Sequence, residues 1–227
     1  TMIQVAFAII VLQGAALFLV PRLIRFPLSM FDVDAAISDA VIAPGKLPEE
    51  RSFRMGFVYQ PYAWNDAAFA ETARLIEKHG DQVTIFHDVG IPWEEALTGK
   101  PYPAELETQI ERELGVTGQF TDTVFVVSFL GSDRRRLAQN LGPGGTEDRS
   151  GGWATRDFND PEVNEAFLNY CRDMIERFQP RALCFLAEVD SAMTDVNDRQ
   201  LKKVLAMSQV VYSTLKKENP DLLVFAE

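Results

Sequence analysis

The period of the apolar residues switches repeatedly along the chain, and each switch marks a change of secondary structure. Met55–Tyr59 is a short apolar run that reads as a strand. From about Asn65 to Lys78 the spacing becomes helical, with Phe69, Ala73 and Ile76 on one face and Gly80 as the stop. Val83–Phe86 is the next strand. Pro103–Leu114 predicts a helix, because Leu106, Ile110 and Leu114 recur every four residues before Gly115. Val124–Leu130 is continuously apolar rather than alternating, the signature of a strand buried on both faces. Asp160 and Pro161 then supply an N-cap and a first-turn proline. The helix behind them carries Val163, Phe167, Tyr170, Cys171 and Met174 in a wide apolar stripe, closed by Pro180. Ala182–Ala187 repeats the doubly buried pattern. A long helix follows from about Asp198 to Asn219, with Leu201, Val204, Leu205, Val211 and Leu215 on one side, and Leu222–Ala226 reads as a fifth strand.

Strands alternating with helices predict parallel βαβ units. Five strands fall within residues 54–227, roughly 34 residues per unit, so eight units would need on the order of 100 more residues. The predicted fold class is α/β: a TIM (β/α)8 barrel, present as an N-terminal fragment of about five βα units. A complete open five-stranded sheet is the competing architecture. Residues 26–53 mix small, acidic, Pro and Gly residues and read as a linker or lead-in. Residues 1–25 read as a signal or membrane-anchor segment. Met2–Val20 carries no charge and is long enough, as a helix, to cross a hydrocarbon core of about 30 Å. An anchor, a signal-peptide core and a buried helix all fit it. Arg22 and Arg25 on its C-terminal flank argue against export of that side. The expected location is therefore secreted, periplasmic or membrane-anchored, with the cytoplasm as the alternative.

A net charge of −11 argues against a nucleic-acid partner, which would need clustered Lys and Arg; Arg134–Arg136 is the one short basic run. A neutral substrate fits this charge. The two cysteines, Cys171 and Cys184, read as small core residues rather than a bridge. His79 and His87 have no Cys near them to suggest zinc-ligand spacing, so neither a metal nor a cofactor is expected. No P-loop or GxGxxG motif is present.

In a barrel, chemistry sits where the strands end. Tyr62 and Trp64 follow the first strand, and His87, Asp88 and Trp93 follow the second. Asp133 follows the third, while Glu188 and Asp190 end the fourth. Aromatic rings and carboxylates together are what a sugar site uses. The plainer account is that Asp133 and Asp190 cap helices and that the aromatics pack. Glu188 directly follows the run ALCFLA, where burial would raise its pKa toward that of a useful acid. Residues 131–159 form a long glycine-rich loop, and Trp153 within it is a candidate for stacking on a sugar.

The strings GFVYQPYAW (56–64), TIFHDVGIPWEEALTGKPYP (84–103), FNDPEVNEAFLNYCRDMIERFQPRALCFLAEVD (158–190) and VYSTLKKENPDLLVF (211–225) resemble clan-A barrel glycosidases. They are most similar to a bacterial group related to the endo-β-1,4-galactanases. The resemblance implies a retaining glycoside hydrolase acting on a β-linked polysaccharide or oligosaccharide. Glu188 would be its general acid/base, and its nucleophile would be a Glu after strand seven, beyond residue 227. It also implies that Tyr62, Trp64, His87, Asp88, Trp93 and Asp190 contact substrate, and that residues 54–227 alone are inactive. Asp88 and Glu227 are weaker candidates for the second carboxylate. Two positions depart from the pattern: Ala187 stands where many such enzymes have Asn, and Asp190 where the related group tends to have Asn. A non-catalytic carbohydrate-binding descendant is therefore the alternative.

Overall fold

The computed structural model describes residues 53–87, 90–120, 122–195 and 197–227. The predicted segment 1–25, the predicted lead-in 26–53 apart from Phe53, and candidate residue Asp88 lie outside these. Five parallel strands form one sheet: β1 (Gly56–Val58), β2 (Gln82–His87), β3 (Asp122–Val127), β6 (Ala182–Cys184) and β7 (Leu223–Phe225). Their spatial order, β1-β2-β3-β6-β7, follows the chain. The register pairs Val83 with Thr123, Phe125 with Leu183 and Leu183 with Val224, so these side chains share one face.

Five helices connect the strands: α1 (Asp66–His79), α2 (Trp93–Thr98), α3 (Ala104–Thr117), α4 (Pro161–Phe178) and α5 (Arg199–Glu218). Their ends are set by short polar side chains. The Asn65 side chain accepts from the Ala68 N–H at 2.9 Å, Asp160 from Glu162 at 2.9 Å, and Asp198 from Gln200 at 2.7 Å. Helix α2 closes on Gly99, whose φ of 71° suits glycine. Helix α4 closes instead on Gln179 with φ 44° and ψ 50°. None of the helices among the described residues is long and apolar enough to cross a membrane.

The main core lies between the helices and one sheet face. It contains Val83, Ile85, Phe125, Val127, Leu183, Phe185 and Val224 from the strands, packed on Ile110, Phe167, Met174, Val204 and Val211 from the helices. Full burial of each such side chain contributes about 1.5–3 kcal/mol, before the opposing chain entropy. A smaller cluster of Val126, Cys184 and Ala187, flanked by Val124 and Phe225, occupies the opposite face. Val58, Phe86 and Leu223, also on that face, remain exposed. Both cysteines are buried and free.

The long connection between β3 and α4 holds a feature that its sequence did not suggest. Asn140–Gly142 (β4) pairs antiparallel with Gly145–Glu147 (β5) around Pro143 and Gly144. Gly145 takes φ 94°, and a Cβ on Gly142 would collide with the Glu147 carboxylate. The hairpin is stitched to the segment after β2, where the Ile91 N–H donates to the Gln139 carbonyl and Leu141 donates back to Ile91, both at 3.0 Å.

Candidate active site

Glu188 leaves the sheet at the C-terminal end of β6, after three buried residues, Phe185, Leu186 and Ala187. Its backbone is left-handed, with φ 55° and ψ 39°, and opens a single 3-10 turn, Val189–Ser191. That reversal carries the carboxylate out of the apolar layer, so its side chain is 55% exposed. The burial expected from ALCFLA stops at Ala187 and does not extend to the acid.

The exposed carboxylate is gripped. Arg134, from the turn after β3, donates to Glu188 Oε2 through Nε at 2.9 Å and Nη2 at 2.7 Å. Arg134 is itself left-handed, with φ 53°, and its side chain is only 12% exposed. Two of the three non-glycine residues with positive φ among the described residues thus meet across adjacent strand ends. Such conformations persist where surrounding structure enforces them, and they cluster at functional sites.

The turn carrying Arg134 is closed by Gly131 donating to the Arg136 carbonyl at 2.8 Å and Arg134 donating to Gly131 at 2.9 Å. Asp133 accepts the N–H groups of Arg135 and Arg136, both at 3.0 Å, and the Arg136 side chain. Burial works to raise its pKa, but these bonds outweigh it and hold Asp133 below the usual carboxylate range. Arg135 reaches the other way, donating to the Ala192 carbonyl at 2.6 Å and to Asp198 at 2.5 Å. Arg134 and Arg135 therefore strap the turn after β3 to the segment after β6, and Arg136 folds back on its own turn.

The remaining candidates divide. Tyr62 and Trp64 are exposed in the connection from β1 to α1, with Trp64 edge-on to Phe69 at 5.7 Å between centroids. Asp190 is exposed in the turn after Glu188. His87 and Trp93 do not reach the surface. His87 shares strand parity with Val83 and Ile85 and so faces the helices. Its Nδ1 lies 2.9 Å from the Tyr170 hydroxyl and its Nε2 lies 2.7 Å from Glu113 Oε2. Gln109 Nε2 donates to the other Glu113 oxygen at 2.9 Å. Burial pushes the Tyr170 hydroxyl up, so it keeps its proton and can donate to Nδ1. The Nε2–H tautomer then satisfies every member of the cluster. The sequence of carboxylate, imidazole and hydroxyl ends on a wholly buried tyrosine, so it joins β2 to α3 and α4 and offers no reacting atom.

Trp93 is fully buried and donates its Nε1–H to the Ala138 carbonyl at 3.0 Å. Trp153, the loop aromatic read as a stacking candidate, lies against it at 5.7 Å with 26° between planes. Trp153 also donates to Glu94 at 3.2 Å, and the Arg156 guanidinium sits 4.6 Å above its ring. Both tryptophans pin the long loop to α2. A cavity of about 600 Å³ lies beside Trp64, bounded by Tyr59, Gln60, Phe69, Gln109 and Arg112. No sequence motif pointed to its α3 wall.

No family model matches the chain, and no curated protein matches it. Among solved structures it is similar to the α-galactosidase from Lactobacillus brevis, at 10% identity and a TM-score of 0.46. That match covers 78% of this chain and 27% of the other, so the chain spans about a quarter of that protein's length.

Proposed function

We propose that residues 54–227 belong to a (β/α)8 barrel of glycoside-hydrolase type, cleaving a β-linked polysaccharide or oligosaccharide with Glu188 as general acid/base. One observation carries the reading: an exposed carboxylate at the C-terminal end of the fourth parallel strand, held on a left-handed residue and oriented by a guanidinium from the neighbouring strand end. That strand-end position is where barrels place chemistry. Tyr62, Trp64 and Asp190, exposed near strand ends, are the proposed substrate contacts. His87 and Trp93 enter the proposal as supports beneath the rim.

In the retaining scheme, Glu188 gives its proton to the glycosidic oxygen as the C–O bond breaks. A second carboxylate, about 5–5.5 Å away, bonds to the anomeric carbon. Glu188 then takes a proton from water, whose oxygen displaces that carboxylate and restores both acids. The nucleophile is expected from a further strand. Glu227 lies two residues beyond β7, and its N–H donates to the Leu186 carbonyl at 2.9 Å, which sets it beside the segment that leads to Glu188.

The test is Glu188→Gln in the complete gene product, assayed on β-linked oligosaccharides. Hydrolysis should fall by about 10²–10⁴ with binding retained; unchanged turnover overturns the assignment. A second reading, a barrel that binds sugar without cleaving it, is favoured by the closeness of the Arg134 grip and by Ala187 and Asp190. Calorimetric binding by the unaltered protein with no released product would select it.

A further inference from the structure

Arg134–Arg136 is the short basic run of an acidic chain, and the cleavage scheme gives it no chemical task of its own. An anion-binding patch is the first reading of such a run, but each guanidinium is already engaged. Arg134 holds Glu188, Arg135 holds the Ala192 carbonyl and Asp198, and Arg136 holds Asp133. Three consecutive side chains thus reach in three directions, which makes a brace rather than a patch.

The brace is anchored in the core. Leu130 and Leu137, both buried, bridge antiparallel at the base of the turn, and the Ala138 N–H donates to the Phe129 carbonyl at 2.8 Å. Residues 131–136 therefore leave and rejoin the core at one point, with Arg134 carried on a closed turn. On the far side, Arg135 reaches Ala192, just past the 3-10 turn that Glu188 opens, and Asp198, which caps α5. The Ser191 hydroxyl donates back to the Glu188 carbonyl at 2.9 Å. Both partners of the Arg134–Glu188 contact are fixed by bonds outside the contact itself.

The contact is lopsided. Nε and Nη2 of Arg134 both donate to Oε2, while Oε1 has no hydrogen bond among the described residues. A carboxylate oxygen offers two acceptor sites, so Oε2 is filled. A proton placed on Oε2 would have to evict an N–H, whereas Oε1 takes one with the guanidinium still in place. An arginine spread across both oxygens would close the acid to exchange; this one closes half of it. We propose that Arg134 is the positioning residue of the site and, by filling Oε2, assigns the exchanged proton to Oε1 of Glu188. The proposal rests on the glycosidase reading above for the reaction. Oε1–H gives its proton to the glycosidic oxygen as the C–O bond breaks, and the carboxylate left behind stays on the guanidinium. The same oxygen later takes the proton of the attacking water. Arginine suits the task because its planar guanidinium brings two N–H groups to one acceptor in fixed geometry, whereas lysine is a point charge about which the carboxylate can turn.

The complete gene product is assayed on methyl and 2,4-dinitrophenyl β-glycosides of one disaccharide, in the galacto, gluco, manno and xylo series. Methoxide needs the proton to leave; dinitrophenolate leaves without it. Arg134→Gln should lower kcat/KM on the methyl glycoside about 10²-fold, the loss that accompanies a displacement of about 1 Å in a reacting group. On the dinitrophenyl glycoside kcat/KM should hardly move, and guanidinium ion at sub-denaturing concentration should restore part of the loss in Arg134→Ala. Equal losses on both substrates mark a purely structural role and overturn the proposal. A second measurement needs no change at Arg134. In NMR of the unaltered protein, the Arg134 Nε–H should give a slowly exchanging signal that Glu188→Ala abolishes; residue 188 is exposed, so that variant keeps its fold. A signal indifferent to Glu188→Ala overturns the grip and the proposal, whatever the kinetics. Loss of the signal alongside full hydrolysis by Glu188→Gln, or alongside a wild-type protein that cleaves no glycoside in any series, overturns the catalytic reading and the proton assignment with it, and leaves only the contact.

Discussion

Gln179 and Glu188 share a left-handed backbone but hold it for different reasons. Gln179 closes α4, donating its N–H to the Ile175 carbonyl at 2.9 Å, a position where glycine is the usual choice. Gln179→Gly should therefore stabilise the chain by about 0.5–1 kcal/mol, since a Cβ is costly in that conformation. Thermal unfolding would register a midpoint higher by about 2–4 °C per kcal/mol gained for a chain of this size. At Glu188 the side chain, rather than the turn alone, is the point of the conformation. Trp93 offers a contrasting case: Trp93→Ala should destabilise by about 3–5 kcal/mol in denaturant titration, because it empties a filled site and strands the Ala138 carbonyl. A mere 0.5 kcal/mol loss would mean that the ring is not core. The positions of Glu188, Tyr62 and Trp64 at strand ends were legible in the sequence. The inward turn of His87 was written there too, in its parity with Val83 and Ile85, but proximity to the rim outweighed it. The burial of Trp93 was not legible, because it depends on Ala138 and Trp153, each over forty residues away.

Helices and strands are tied to one another by polar contacts as well as by core packing. The cluster of His87, Glu113, Gln109 and Tyr170 joins β2, α3 and α4, so removing one member leaves another buried without a partner. His87→Leu should cost about 3–5 kcal/mol by urea unfolding, and His87→Leu combined with Glu113→Met should cost clearly less than the sum of the two single changes. Additive losses would dismiss the coupling. Asp157, at the end of the long loop, meets Lys203 on α5. Burial works to raise its pKa, but the Lys203 bond and the Phe158 N–H prevail and set it below the ordinary value. A depressed folded-state pKa gives stability above the unfolded value of about 3.9, lost as pH falls through the folded one. Asp157→Asn should accordingly flatten the acid limb of a stability–pH curve and leave its slope near pH 7 unchanged. All nine principal elements were legible from period and caps, with bounds within a few residues. The six-residue α2 was not, being too short to show a period. Nor was the β4–β5 hairpin, whose three-residue strands carry no clear alternation and whose turn glycines looked only like loop composition.

Across the molecule as a whole, one sheet face is covered by helices and the other carries Val58, Phe86 and Leu223 exposed among the described residues. Apolar surface of that kind, beside strand edges, favours association. Phe86→Thr with Leu223→Thr should lower concentration-dependent association of residues 53–227, read by sedimentation, at little cost in stability. Equal association in the variant would place the contact elsewhere. The agreement between spatial order and chain order has a further consequence. Each new strand docks on the one made just before it, so a chain emerging from the ribosome never has to wait for a distant partner. Synthesis from the N-terminus could thus lengthen the sheet one unit at a time, each addition serving as the template for the next.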